Sequence, residues 1–354
     1  MKKLTKFLIP FLALSSAVLT GCKDNRILLT FGDVHASETK EITCNDLDTL
    51  INNKDNFLFV VSTNTCSCWN DFKPNINAYV SENKALCYRI DYSDIEIMKA
   101  NYVDAGLTGL SKGTTTFAIF EDGKVSKMLR SSDDSKIMND KKTFFRYMNE
   151  TVKLPKSFLI TKDDVSDIKA SRKNAVIYYE RSECGDCRAL NPGILRKYLN
   201  KHLDGNPFYV LDCQPYYPNK KDPDYETQSA AYQVIKDELG LSEKNNPTYG
   251  YGKGVFPYFS LIENGEYTSG AVIYNNTVKK EDGKITVTDS YYSSERVASL
   301  QYTNTVLVGQ ALTQDDVNEN DYGIFWKNDA ADSFYEKILG EFLDYALPKT
   351  TFLF

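Results

Sequence analysis

Four short apolar runs, Phe57–Val61, Phe117–Phe120, Ala175–Tyr179 and Phe259–Ile262, stand out against polar flanks along this chain. Runs of this length, rich in β-branched and aromatic residues and bounded by turn formers, read as buried strands. The first and third runs each lead into a cysteine-bearing turn and then a helical pattern interrupted by a proline, Pro74 or Pro192, where a helix kinks. The other two runs enter Glu121-Asp122-Gly123-Lys124 and Glu263-Asn264-Gly265-Glu266. Asp-Gly or Asn-Gly between apolar runs is the strongest short hairpin signal. Helical patterns also cover Thr227–Leu239 and Ala330–Ala346, the latter with Phe334, Ile338, Phe342 and Leu343 on one face.

The pattern occurs twice. Sliding the sequence along itself until Cys66 meets Cys184 also lays Ile42-Thr43 on Ile160-Thr161, the run from Phe57 on that from Ala175, and Pro74 on Pro192, without a gap. Such self-similarity marks a repeated supersecondary unit. Two α/β domains are expected, 41–152 and 157–347, joined near Lys153-Leu154-Pro155-Lys156. The second is longer, with extra segments at Pro215–Gly254 and at Ala271–Asn328, the latter holding a hairpin-like Lys279–Tyr292. The first segment runs directly into Phe256-Pro257 and reads either as a wall over Cys184 or as a surface elaboration.

Chemistry concentrates in Cys184-Gly185-Asp186-Cys187. Residues three apart neighbour each other on a helix, so both sulfurs can reach disulfide distance at its first turn. The unpaired N–H groups and positive dipole end there favour a thiolate, the nucleophile of thiol–disulfide exchange. A structural bridge or half of a zinc site is the bland alternative for such a pair.

These landmarks resemble the thioredoxin superfamily. Pro192 stands where that family has its helix-kinking proline, and Phe256-Pro257 precedes a strand, a tight turn and another strand as the family's cis-proline loop does. The resemblance covers roughly half of the chain. It implies tandem thioredoxin-like domains, each a central mixed β-sheet flanked by helices. It further implies that Cys184 attacks, Cys187 resolves, and Phe256-Pro257 docks an extended substrate as an added strand. One departure is Tyr178, which occupies the position of the family's buried acid and leaves a proton relay to Cys187 unassigned. Glu183 and Asp186 oppose a thiolate at Cys184, and Arg188 partly offsets them.

The first copy has diverged. Its turn reads Cys66-Ser67-Cys68-Trp69, with Trp69 at the position of Cys187 and Thr115 at that of Pro257. Without proline a cis bond costs about 2.5–4 kcal/mol, so its docking loop is expected to differ. Cys66 and Cys68 point apart on a regular helix, and a bridge between them would deform its first turn and be easily reduced. An auxiliary redox pair, bridges to Cys44 or Cys87, and a structural remnant all stay open.

Met1-Lys2-Lys3, the apolar run Phe7–Leu19 and Leu19-Thr20-Gly21-Cys22 form a secretory leader, 1–21, too short to span a bilayer. Its end resembles the lipobox of bacterial lipoproteins, which implies lipidation of Cys22, a tether over 22–40, and a protein held on the outer face of the cell membrane. Removing one cysteine of eight to a lipid leaves an odd number, so at least one thiol lacks an intrachain bridge. Cys213 at the end of a strand is expected to be a buried thiol.

A net charge of −6 with no basic run excludes nucleic acid as the main ligand. His35 and His202 are the only histidines; no metal and no cofactor is expected. The sequence therefore points to a thiol–disulfide oxidoreductase of open direction, acting on exported cysteine-containing proteins with a membrane redox partner. The alternative is a non-enzymatic substrate-binding or export-accessory lipoprotein that keeps the fold.

Overall fold

The computed structural model describes residues 24–95, 99–202, 205–241, 256–272, 277–281, 284–288 and 339–354. The leader with Cys22, most of the Ala271–Asn328 segment, and Phe334 and Ile338 of the closing helix lie outside the described residues.

In chain order, β1 (Ile27–Leu28), β2 (Gly32–Asp33), β3 (Lys40–Glu41) and α1 (Cys44–Asn52) lead into β4 (Leu58–Ser62), α2 (Ser67–Asn83) and β5 (Cys87–Asp91). Then come α3 (Ala100–Asp104), the hairpin β6 (Thr116–Glu121) and β7 (Lys124–Arg130), α4 (Ser135–Met138) and α5 (Lys141–Thr151). The chain continues through β8 (Val152–Lys153), β9 (Ser157–Leu159), α6 (Lys162–Ala170), β10 (Ala175–Glu180), α7 (Gly185–Leu190), α8 (Arg196–Lys201), β11 (Phe208–Asp212) and α9 (Tyr225–Glu238). Last among the strands are β12 (Tyr258–Glu263), β13 (Glu266–Val272) and the hairpin β14 (Thr277–Glu281) and β15 (Lys284–Thr288). Residues 339–346 are helical, and Phe342 and Leu343 are buried there.

One sheet runs β3-β5-β4-β6-β7 and another β2-β9-β11-β10-β12-β13. Three neighbouring strands are parallel in the first sheet and four in the second, and in both the following hairpin is antiparallel. The central strands β4 and β10 are buried on both faces, which explains why their sequences are continuous apolar runs rather than alternating ones. Alternation decides which side each residue serves. Leu58 and Val60 pack with Phe72, Ile76 and Tyr79 of α2 and Phe144 of α5. Phe59 and Val61 pack with Leu47 and Ile51 of α1 and Tyr102 of α3.

Local details repeat along with the strands. Thr43 with Asp46 and Thr161 with Asp164 form capping boxes at the starts of α1 and α6, each satisfying two orphan N–H groups. Asn56 Oδ1 accepts the Asp122 N–H at 2.7 Å, and Asn174 Oδ1 accepts the Asn264 N–H at 2.9 Å. Gly123 and Gly265 follow with φ of +72° and +84°. A Cβ would sit 2.3 Å from the Ile51 carbonyl oxygen in the first case and 2.3 Å from that of Lys169 in the second.

The N-terminal segment departs from expectation. Residues 22–40 read as a free tether, yet β1 pairs with β8 and β2 with β9, and Ile27, Leu28, Leu29 and Val34 are buried. Their apolar surface drives them into the core. The segment also pins the sheets to each other: Asn56 donates to the Leu28 carbonyl at 2.7 Å, and Ser157 to that of Thr30 at 2.9 Å. His35, placed in that tether by sequence, holds the Asp164 carboxylate at 2.8 Å. A second link joins Arg196 of α8 to the Asp122 carboxylate and the Lys54 carbonyl oxygen, the latter at 2.6 Å.

Candidate functional site: a dithiol facing a cis-proline loop

Strand β10 ends at Glu180 and the chain turns through Arg181-Ser182-Glu183 into α7. The turn is braced from the neighbouring strand. Asp212, opposite Glu180 in the ladder, accepts the Ser182 N–H at 3.1 Å and the Gln214 N–H at 2.9 Å. Asp91 does the same for Asn64 in the first sheet, at 3.1 Å. Cys184 becomes the N-cap of α7 with extended backbone (φ −77°, ψ 127°), and no side chain caps that helix start. Helical residues continue from α7 through a wider π turn, Asn191–Leu195, into α8. Pro192 lies in that turn, where its missing N–H is accommodated.

Cys184 is half-buried and Cys187 is fully buried beneath it. Both are thiols in this structure. The Phe256–Pro257 peptide is cis, and the Phe256 carbonyl oxygen lies 3.8 Å from Cys184 Sγ. Thus Cys184, Cys187 and Phe256–Pro257, distant in sequence, meet in one place. No Cβ clash exists at Gly185, which faces open space. Burial, and after it the hydrogen bond and charge of Cys184, hold the Cys187 thiol well above its usual range. Cys187 therefore keeps its proton until a base takes it.

Glu180 was missed by the sequence reading. It lies four residues before Cys184 and is only 5% exposed. Burial, reinforced by Asp212, pushes its carboxyl up to about 8. Asn191 Nδ2 donates to Glu180 Oε2 at 2.6 Å, and the Tyr178 hydroxyl donates to Asn191 Oδ1 at 2.8 Å. Tyr178 thus holds the acid indirectly. Glu180, Asp212, Asn191 and Cys187 line one cavity of about 110 Å³. The available signal was a glutamate closing an otherwise apolar strand, a position where a carboxylate is seldom buried without a partner or a task.

The segment after β11 packs against the turn that leads into Cys184. Gln214 joins Arg181 and Glu183 at 3.0 Å each, and the Arg181 guanidinium lies 3.4 Å from the centre of the Tyr217 ring. Tyr217 packs edge-on against Tyr232 of α9 at 5.4 Å. This part of the Pro215–Gly254 segment is packed into the core near Cys184; residues 242–255 lie outside the described residues. Helix α9 begins two residues earlier than the expected Thr227.

In the first sheet Cys66 caps α2, and it is bonded to Cys68. Bridges to Cys44 or Cys87 are not formed; those two are thiols, as is the buried Cys213. Trp69 is buried under the bridge with the Arg89 guanidinium 4.9 Å from its ring. Thr115 donates from Oγ1 to Cys68 Sγ at 3.3 Å, and the Gly113 carbonyl oxygen lies 3.7 Å from each bridged sulfur. The loop equivalent to Phe256–Pro257 faces the sulfurs here too, in trans, since Phe256–Pro257 is the one cis peptide among the described residues.

Among the described residues no cluster of three or more His, Cys, Asp or Glu is placed to hold a metal, and no helix is long and apolar enough to cross a membrane.

No protein-family profile matches the chain, and no curated protein matches it. Solved structures do resemble it. A mutant thioredoxin from Halobacterium salinarum NRC-1 is 16% identical with a TM-score of 0.26, covering 35% of this chain and 98% of that one. Oxidised thioredoxin O2 from Arabidopsis thaliana is 15% identical with a TM-score of 0.21, covering 34% and 85%. Human ERp44 in one crystal form is 11% identical with a TM-score of 0.31 over 67% of this chain; the chain spans about half of its length, 51%. The described residues form a mixed α/β fold of sheets flanked by helices.

Proposed function

We propose that this protein is a thiol–disulfide oxidoreductase built from two tandem thioredoxin-like domains, with Cys184 and Cys187 as its working dithiol. The observation that carries the reading is the convergence of a half-buried Cys184 at a helix start with the Phe256 carbonyl, above a buried Cys187.

The cycle follows from those positions. Cys184 sulfur attacks a substrate disulfide, forming a mixed disulfide and expelling one substrate thiolate. Cys187 then attacks Cys184 Sγ. The Cys184–Cys187 bond forms, the Cys184–substrate bond breaks, and the proton of Cys187 passes to the Glu180 carboxylate. The substrate is reduced by two electrons and the protein dithiol is oxidised. Run backwards, a substrate dithiol reduces the Cys184–Cys187 bridge and protonated Glu180 returns a proton to the leaving Cys187. An acid lifted to about 8 serves both directions near neutral pH. The Phe256–Pro257 edge offers backbone groups to an extended substrate, so specificity rests on access and main-chain pairing.

The substrates in this reading are exported proteins with cysteines. The leader and Cys22 would place the protein on the outer face of the cell membrane, tethered by lipid near a membrane redox partner, where disulfides persist. A Cys22→Ser protein recovered in the soluble fraction would support that placement, and one retained in the membrane would contradict it.

Insulin reduction and reduced-RNase oxidation, run on the parent and on Cys184→Ser, test the activity. The expected result is loss of both reactions in Cys184→Ser; equal rates would leave a binding protein that merely keeps the fold. Cys187→Ser, unable to resolve, should trap a disulfide-linked partner.

A further inference from the structure

The cavity behind Cys187 is not enclosed by its own sheet alone. Thr49, Leu50, Asn53, Asp55 and Tyr88, all from the first repeat, form its opposite wall. Asn53, the C-cap residue of α1, is 8% exposed and donates through Nδ2 to the Ser182 carbonyl at 3.3 Å, two residues before Cys184. Its Oδ1 is buried without a hydrogen-bond partner. An unpaired buried amide oxygen costs about 1–3 kcal/mol, and one that lines a polar cavity is relieved by ordered water. At roughly 30 Å³ per molecule, the cavity volume of about 110 Å³ suits about four waters.

We propose that the first repeat is a working part of the redox site: Asn53 and Asp55 close a hydrated acidic chamber behind Cys187 and position the water through which Glu180 exchanges the proton of that thiol. This rests on the dithiol reading above and assigns the diverged copy a task in the same reaction. Neither residue touches substrate; both are positioning residues.

The charges around Glu180 support the assignment. From its own sheet come Asp212 across the ladder, Tyr178, Arg181, and Cys187 and Arg188 on α7. From the first repeat come Asp55 and Tyr88. Asp55 is buried and lifted to about 7, chiefly by desolvation, with Arg196 and Thr30 opposing. Its negative charge is one of the influences that raise Glu180. Tyr88 is raised by burial and then by Asp55, Asp33, Asp212 and Glu180, so it also senses all these carboxylates.

The test isolates the resolving step. Cys184 of the full-length protein is loaded as a mixed disulfide with 5-thio-2-nitrobenzoate, and release of the coloured thiol by Cys187 is followed from pH 5 to 9. Undiminished release in Cys187→Ser would overturn the dithiol reading itself. With that intact, Glu180→Gln should slow release by about 100-fold, and an unchanged rate would remove the acid from the mechanism. The chamber is tested last. Asp55→Asn should move the inflection of the profile about half a unit or more to lower pH. Asn53→Leu, which fills the space without touching a charge, should slow release roughly tenfold across the range. If Asp55→Asn folds and leaves the inflection in place, or Asn53→Leu releases at the parent rate, the first repeat is a scaffold only and the inference falls. If Asp55→Asn does not fold, the Asn53→Leu arm decides alone.

Discussion

Two contacts, one hydroxyl-to-amide and one amide-to-carboxylate, decide how the acid behind Cys187 behaves. The Tyr178 hydroxyl donates to Asn191 Oδ1, which leaves Asn191 Nδ2 aimed at Glu180. Both Asn191 and Tyr178 lower the Glu180 carboxyl, against the stronger upward push of burial and Asp212. Removing the hydroxyl in Tyr178→Phe strands a buried amide oxygen, which costs about 1–3 kcal/mol and should appear in urea unfolding. The same change withdraws a contact that favours the carboxylate, so the inflection of the Cys187 release profile should move to higher pH. A downward move would mean that the chain from Tyr178 through Asn191 does not act on Glu180. By sequence, Tyr178 stands where a buried acid is absent. In the folded chain the acid stands two residues further on, and the tyrosine supports it; spacing within a strand shows which face a residue takes but not which cavity that face meets.

At the level of elements, the β6–β7 and β12–β13 hairpins carry the same requirement at their turns. Gly265 has φ +84° and its would-be Cβ lies 2.3 Å from the Lys169 carbonyl oxygen, backbone that cannot swing aside. Gly185 has no neighbour within 4 Å of such a Cβ. Gly265→Ala should therefore lose about 2–4 kcal/mol through left-handed strain and the clash, whereas Gly185→Ala should stay within about 0.5 kcal/mol. Equal losses in urea unfolding would contradict this account of the turn. These turns, like the buried strands and both cysteine turns, were legible because they depend on local chemistry: Asn264-Gly265 demands a positive φ, and Val176-Ile177-Tyr178 demands burial. The strand pairing of Ile27-Leu28 and Gly32-Asp33 was not. Pieces of two residues carry no periodicity, and only the apolar run through Leu29 hinted that the segment was not a free tether. Nor could sequence choose among partners for Cys66 and Cys68, because disulfide connectivity depends on distances that the fold sets.

For the whole molecule, the buried acids Glu180 and Asp55 oppose stability as pH rises. Glu180 and Asp55 stand at about 8 and about 7, against ordinary values of 4.5 and 3.8. Below their ordinary values both acids are protonated in the folded and the unfolded chain, and their contribution is fully present. As pH rises past those values the unfolded chain releases its protons while the native protein keeps them. The native state then binds more protons, and stability falls with pH until the native groups ionise. Asp91, Asp140 and Asp164 act in the opposite sense, since hydrogen bonds hold them low and their stabilisation is lost only as pH drops toward and below the usual carboxylate range. Together these place the highest melting temperature of the reduced protein on the acidic side, near pH 5, with a decline toward pH 8. Glu180→Gln and Asp55→Asn should each flatten that decline, because an amide has no proton to release and the unfolded chain gains nothing by ionising it. Melting curves of parent and variants collected across pH 5 to 8 read the slope directly. A parent whose melting temperature climbs over that interval, or a Glu180→Gln slope as steep as the parent's, would show that these carboxyls are already charged in the fold, and a Glu180 charged throughout could accept the Cys187 proton but not return it.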